Sequence, residues 1–261
     1  MKIVRVLAGG VEHLGRQHDD GRVTLLEGDL FGPLRDTGSV VQVEKILAPL
    51  EPRDIICVGL NYRQHAAETG AEIPSHPVMF MKNSGAVQHP GDPILLPRTL
   101  RSDRVDYEAE LAVVIGRGGR NVPAGRAMEH VWGYTIVNDV TARDVQMRHQ
   151  QWDLGKSFDT FCPMGPWLVD VTELDGRDTR VRAWVNGELR QDARTTDLIF
   201  DIPTLIETIS RGITLYPGDV IATGTPAGVG MGMSPPRWLA AGDIVRVEID
   251  GIGMIENRVV A

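Results

Sequence analysis

Glycine and proline punctuate this chain from end to end. Of its 261 residues, 29 are Gly and 16 are Pro, and few uninterrupted runs remain that are long enough for a helix. Inside a helix Gly costs roughly 1 kcal/mol and Pro roughly 3 kcal/mol, so a chain cut this often is driven toward short strands and turns. Strand candidates are IVRVLAG, EHLGRQ, RVTLLEG, IICVGLN (55–61), VMFMKN (78–83), DPILLP (92–97), YEAELAVVIG (107–116), GYTIVND (133–139), PWLVDV, VRAWVNGELRQ, DVIATG and DIVRVEIDGIGMIENRVV. Asp20-Gly21, Asn186-Gly187 and Asp250-Gly251 supply the positive-φ pairs that tight hairpins require. Three stretches read as helical: YRQHAAETG closed by Gly70, TARDVQMRHQQW (141–152), and DLIFDIPTLIETISRG (197–212) with Pro203 near its first turn. Strands dominate and the helices do not alternate with them. The expected class is therefore α+β, built on a large folded-over mixed sheet rather than a doubly wound one. The segment LAPLEPRD (47–54) divides a small N-terminal β-rich domain, residues 1–48, from a larger domain, residues 49–261.

Composition removes several function classes. Lys and Arg number 27 against 35 Asp and Glu, a net charge of −8 with no basic cluster. Such a chain is a poor partner for a phosphate backbone, so no nucleic acid is expected. The apolar run LAVVI (111–115) falls far short of the roughly 20 residues that a spanning helix needs, and the N-terminus lacks a signal-peptide pattern. Neither membrane association nor export is expected. Cys57 and Cys162 stand far apart, which excludes a thiolate knuckle and suits a cytoplasmic location. GKS (155–157) lacks the upstream Gly of a phosphate loop, because Gln150 stands there. GVGMGM (228–233) runs into Ser234-Pro235-Pro236 rather than a helix, so it reads as a turn. Neither G-x-S-x-G nor H-E-x-x-H occurs, so a hydrolase of this kind would use activated water rather than a protein nucleophile.

The chemistry gathers elsewhere. Strand side chains alternate, so Glu108 and Glu110 face one way, with Asp106 before them on that face. Two carboxylates at the entrance to an apolar core repel unless a cation lies between them. The competing reading is a solvated strand edge. Asp139 ends another apolar run. If it joins the pair, three carboxylates without His or Cys select a hard cation, Mg²⁺ first, with Mn²⁺ or Ca²⁺ as alternatives. Three ligands leave positions for water and a chelating substrate. Arg143 and Gln146 follow Asp139 at helical spacing, although Arg143 could equally form a surface ion pair with Asp139 or Asp144. His65 and Glu68 are neighbours on one helix face. A carboxylate beside an imidazole orients it and raises its basicity, which suits a general base, or the pair is surface decoration. Lys156 is either a cation for a substrate carboxylate or oxyanion, or a solvated turn lysine.

Six segments in order, GLNYRQHAAE, PVMFMKNSGAVQHPGDPI, VDYEAELAVVIG, GYTIVNDVTARDVQ, GKSFDTFCPMGPWLV and YPGDVIATGTPAGVG, resemble the fumarylacetoacetate hydrolase superfamily from about residue 50 onward. The resemblance implies the family's mixed β-roll, a homodimer, and Glu108, Glu110 and Asp139 as metal ligands. It implies His65 and Glu68 as a water-activating dyad on a lid segment, with Lys156 as a further catalytic group. Arg143, Gln146, Lys82, Ser84 and Thr225 are implied at the substrate. Larger eukaryotic members carry a fourth acidic ligand from a long N-terminal region. This chain has only a short unit there, and water is expected in that place. The expected activity is hydrolysis of a C–C bond in acylpyruvates (2,4-dioxo acids), in which the leaving group is a pyruvate enolate whose charge the cation spreads. Oxaloacetate decarboxylation, hydration of a 2-oxo-alkenoate and enol–keto tautomerisation use the same groups. A non-catalytic metal- or ligand-binding protein is the alternative of a different class, and the joint presence of His65, Glu68, Lys156 and the three acids argues against it.

Overall fold

Seven consecutive buried residues, Ala109–Ile115, form the central strand of the protein, described over residues 1–261 in a computed structural model. A strand covered on both faces needs apolar side chains throughout, and LAVVI supplies them. It pairs antiparallel with Val131–Asn138 on one side and Val220–Ala222 on the other. The main sheet has 12 strands, of which Lys45–Leu47 and Val87–Gln88 pair alongside a path of ten. Its path runs Leu34–Val41, Val23–Gly28, Val11–Gln17, Lys2–Ala8, Cys162–Asp170, Val131–Asn138, Ala109–Ile115, Val220–Ala222, Ile55–Gly59, Val78–Lys82. Val220–Ala222 lies parallel to Ile55–Gly59, so the sheet is mixed. The N-terminal strands extend this sheet directly, through Lys2↔Val169 and Ile3↔Leu168. A second sheet of five strands, from Glu188–Arg194 to Ile94–Leu95, packs against the central strands. The main core, 35 buried residues, takes side chains from both sheets. The strand-rich α+β roll expected from the sequence is the fold observed.

The helices are shorter than their sequence patterns. α1 spans Arg63–Thr69 and closes on Gly70 at φ 65. The stretch 197–212 helps form a 3-10 turn, Thr195–Asp197, and then α4, Ile202–Gly212. Asp201 caps α4 by accepting from Thr204 N–H at 2.9 Å, a bond worth about 1 kcal/mol. Ile202, Leu205, Ile206 and Ile209, at i, i+3, i+4 and i+7, form its buried face.

The single helix expected over 141–152 is not formed. Thr141–Ala142 pairs with Val105–Asp106, α2 covers only Arg143–Arg148, and α3 is Asp153–Lys156. The chain reverses because Gly155 packs on the Gln146 backbone. A Cβ there would lie 2.5 Å from Gln146 N. Trp152, in the reversal, packs on Gly59 and edge-on against Phe80 at 5.4 Å. The fold-back carries Lys156 to the side of Arg143 and Gln146.

Candidate active site

Strand register assembles the acidic cluster. Ala109 pairs with Asn138 and Glu110 with Val137, so Asp139 arrives beside Glu108, and its N–H donates to Glu108 O at 2.8 Å. Asn138 Oδ1 accepts from Glu108 N–H at 3.0 Å, immediately before the strand. One carboxylate oxygen from each of Glu108, Glu110 and Asp139 lies within 4.8 Å of the others, and all three residues are buried. Asp106 does not continue this row. Val105–Asp106 belongs to a separate ribbon with Thr141–Ala142, and Asp106 turns instead to Arg143.

Three cations surround the cluster. Lys156 Nζ lies 2.6 Å from both Glu108 Oε2 and Asp139 Oδ2. Arg143 Nη2 lies 2.6 Å from Glu108 Oε1, and its Nε lies 3.0 Å from Asp106 Oδ2. Lys82 Nζ donates to Asp139 Oδ1 at 2.6 Å, to Val140 O at 3.2 Å, and to Lys156 O. Burial alone would push Glu108 up, but Arg143 and Lys156 outweigh it and hold the carboxyl well below the usual range. Burial opposes the charge on Lys156, yet Asp139 and Glu108 keep the ammonium protonated, with its pKa raised.

Glu110 is the exception. Its polar contact is the Gly224 N–H at 2.8 Å, and no basic side chain pairs with it. Burial, and then the charges of Asp139 and Glu108, push its carboxyl well up. Four buried carboxylates, Asp106, Glu108, Glu110 and Asp139, thus face three buried cations, Lys82, Arg143 and Lys156. An uncompensated buried carboxylate costs several kcal/mol. An all-oxygen donor set with one charge left over fits a hard divalent cation.

The dyad residues meet as well. His65 Nδ1 lies 3.1 Å from Glu68 Oε2, and Glu68 Oε1 accepts from Gly228 N–H at 2.9 Å. His65, Glu108, Glu110, Arg143, Gln146, Lys156 and Thr225 line one cavity of about 440 Å³. Its remaining wall is largely apolar, with Val58, Val78, Phe80, Trp152 and Met147 among its residues. Gln146 Oε1 accepts from Arg143 Nη1 at 3.3 Å. The Thr225 hydroxyl is committed to protein, donating to Ala109 O at 3.0 Å and accepting from Gln191 Nε2 at 2.8 Å.

Two residues expected at the substrate are not among those lining this cavity. Lys82 spends its ammonium on Asp139, Val140 and Lys156 from behind the cluster, so it supports a ligand instead of lining the cavity. Ser84 is exposed in the turn Ser84–Ala86, which the Asn83 side chain caps by accepting Gly85 N–H, and it faces a different depression. The sequence reading also passed over Asn138, Gln191 and the tethering by Asp106. An Asn immediately before a candidate ligand was the only available hint, because the contacts that join these residues to the site, to Glu108 N–H, Ala109 N–H, Gly230 N–H and Arg143, lie 30 or more residues away.

The loop after Thr225 is glycine-rich for steric reasons. Gly228 has φ +103, and a Cβ there would lie 1.9 Å from Arg190 O. Gly228→Ala is expected to cost about 1–3 kcal/mol in denaturant unfolding. Gly125→Ala, where an added methyl meets nothing within 4 Å, should stay within about 0.5 kcal/mol of wild type. Equal effects of the two would show that this loop is not sterically held.

Known proteins resemble this chain along most of its length. The sequence model described as fumarylacetoacetate (FAA) hydrolase C-terminal matches residues 54–260, and one described as Rv2993c-like, N-terminal, matches residues 1–49. Oxaloacetate tautomerase YisK of Bacillus subtilis is 50% identical over 214 residues, 81% of this chain and 71% of that protein. The mitochondrial oxaloacetate tautomerase fahd2 of Xenopus laevis is 48% identical over 219 residues, 82% of this chain and 68% of that protein. The crystal structure of 5-carboxymethyl-2-hydroxymuconate delta-isomerase from Mycobacterium smegmatis superposes with a TM-score of 0.88 at 41% identity, covering 100% of this chain and 99% of the other. With nearly the whole chain after residue 53 matched, and with relatives this close, this protein belongs to the fumarylacetoacetate hydrolase family.

Proposed function

We propose that this protein catalyses enol–keto tautomerisation of a small 2-oxo acid, with oxaloacetate as the leading substrate. The observation that carries the reading is the opening of His65, oriented by Glu68, into the cavity lined by Glu108 and Glu110, two of the three clustered carboxylates. The names of these two relatives, both oxaloacetate tautomerases, favour tautomerisation over hydrolysis. A hard divalent cation held by Glu108, Glu110 and Asp139 would draw charge from the 2-oxo group of a bound substrate and acidify the neighbouring C–H. Mg²⁺ is the proposed ion, with Mn²⁺ or Ca²⁺ as alternatives. His65 takes the proton from C3 and passes it to the 2-oxo oxygen in the keto-to-enol direction, and carries it back in the reverse, so that no net proton is gained or lost. Glu68 stabilises the imidazolium formed in between. Lys156 and Arg143 hold Glu108 ionised, and the apolar wall keeps bulk water from the transferring proton. A homodimer in the cytoplasm completes the proposal. No helix is long and apolar enough to cross a membrane.

Acylpyruvate cleavage is the second reading, because the same dyad would activate a water. The test follows enol absorbance of oxaloacetate and, in parallel, pyruvate release from oxaloacetate and a series of 2,4-dioxo acids. Tautomerisation accelerated about 10²-fold or more, lost in chelator and restored by Mg²⁺, with little pyruvate released, is the expected result. Faster pyruvate release from a 2,4-dioxo acid would replace the reading with hydrolysis. Full turnover after exhaustive metal removal would refute both.

A further inference from the structure

Asp106 has no exposed surface and accepts four hydrogen bonds. Tyr107 N–H and Gly230 N–H reach Oδ1 at 3.0 and 2.7 Å, and Met231 N–H and Arg143 Nε reach Oδ2, both at 3.0 Å. Through Arg143 it touches Glu108 of the acidic cluster. Through the turn Gly230–Gly232 it holds the loop whose Gly228 N–H binds Glu68, the partner of His65. The turn also lies directly against Glu68, since a Cβ on Gly232 would fall 2.3 Å from Glu68 Cδ. One buried carboxylate thereby joins the cation side of the cavity to its proton-transfer side.

We propose that Asp106 is a positioning residue that sets the His65–Glu68 pair relative to the carboxylate cluster by tethering the 228–232 loop and Arg143 at once. A carboxylate is required because all four partners are donors. An amide offers only one accepting atom, so one side of the tether must face a donor with a donor. A buried acid that merely neutralised Arg143 would leave the loop and α1 unaffected when changed. The proposal rests on the proton-transfer reading only for its kinetic readout.

The test is Asp106→Asn, measured in three ways. Mg²⁺ affinity by calorimetry should stay within about threefold, because Glu108, Glu110 and Asp139 remain. The kcat for tautomerisation should fall about 10–100-fold, as for other groups that orient reacting residues, with KM nearly unchanged. Amides of Gly228, Gly230, Met231 and α1 should exchange with deuterium at least about tenfold faster, while the central strand stays protected. Adding the substitution to a Glu68→Gln background should cost much less than adding it to wild type. Fully additive losses, or unchanged exchange over 228–231 and α1, would overturn the proposal. If the variant does not fold, wild-type exchange decides. A common opening rate for the 228–231 amides and α1 supports the tether, and independent rates refute it. An inactive wild type would remove the tautomerase reading and leave the exchange result standing.

Discussion

Glu110→Gln is expected to abolish divalent-cation binding while leaving the metal-free protein at least as stable as wild type. Most ligand substitutions destabilise or do nothing before the ion arrives, so the combination is diagnostic. It follows from the asymmetry of the cluster. Glu108 and Asp139 have Lys156, Arg143 and Lys82 beside them, whereas Glu110 has a single backbone N–H. Removing its charge relieves burial and repulsion and keeps an amide oxygen for Gly224. A cation at 100 times its Kd adds about 2.7 kcal/mol to wild-type stability, and that increment should vanish in the variant. The pH dependence has a definite sign. Because the folded-state pKa of Glu110 is raised, the native metal-free protein binds this proton more tightly than the unfolded chain does. Its stability therefore falls as pH rises from the ordinary carboxylate range through the raised value, and the variant should lack that slope. Denaturant unfolding with and without Mg²⁺ across this pH range is the measurement. A cation-dependent gain surviving in Glu110→Gln would place the metal elsewhere. A variant markedly less stable than metal-free wild type would mean that Glu110 has a partner the geometry does not reveal.

His65→Ala should lower tautomerisation by about 10²–10⁴, the usual value of a positioned general base, without weakening Mg²⁺ binding. His65 contributes no ligand and sits across the cavity on α1, held by Glu68 at 3.1 Å. Metal-assisted decarboxylation of oxaloacetate needs no proton acceptor in its bond-breaking step and should fall less. Both rates are measured in one preparation at saturating Mg²⁺. A tautomerisation rate within twofold of wild type would remove His65 from the mechanism. Equal losses in both reactions would recast it as a substrate-holding group.

Much of this site is legible in the sequence because period-two alternation is local. Glu108 and Glu110 share a face on that ground alone, and an apolar run ending at Asp139 points to a strand end. The His65–Glu68 pairing follows from helical spacing within one short helix. What sequence cannot supply is register. The pairing Ala109↔Asn138 is what sets Asp139 against Glu108, and no local pattern encodes it. Alternation also misled at Asp106, because the strand begins only at Ala109 and Val105–Asp106 pairs with Thr141–Ala142 instead. Lys82 shows the same limit. A lysine one strand away can reach the cluster from the cavity or from behind it, and only the buried contacts to Asp139 and Val140 decide. The break in the helix expected over 141–152 depends on Gly155 meeting Gln146, a contact between segments that look continuous on paper.

The placement of Val220–Ala222 between Ile55–Gly59 and Ala109–Ile115 bears on how the protein is made. Its two neighbours leave the ribosome long before it does, and until it arrives each presents an open apolar edge. The bond from Gly228 to Glu68 spans 160 residues of chain. At roughly 5–20 residues per second, on the order of ten to thirty seconds separate the synthesis of its two ends. The His65 segment therefore cannot dock during early elongation, and the nascent chain passes through an interval in which the half-built sheet is prone to mispairing. Binding of a cation cannot shorten that interval, since Gly224, the only donor to Glu110, is synthesised near its end. Setting this strand where it is makes closure of the sheet one of the last events of chain synthesis.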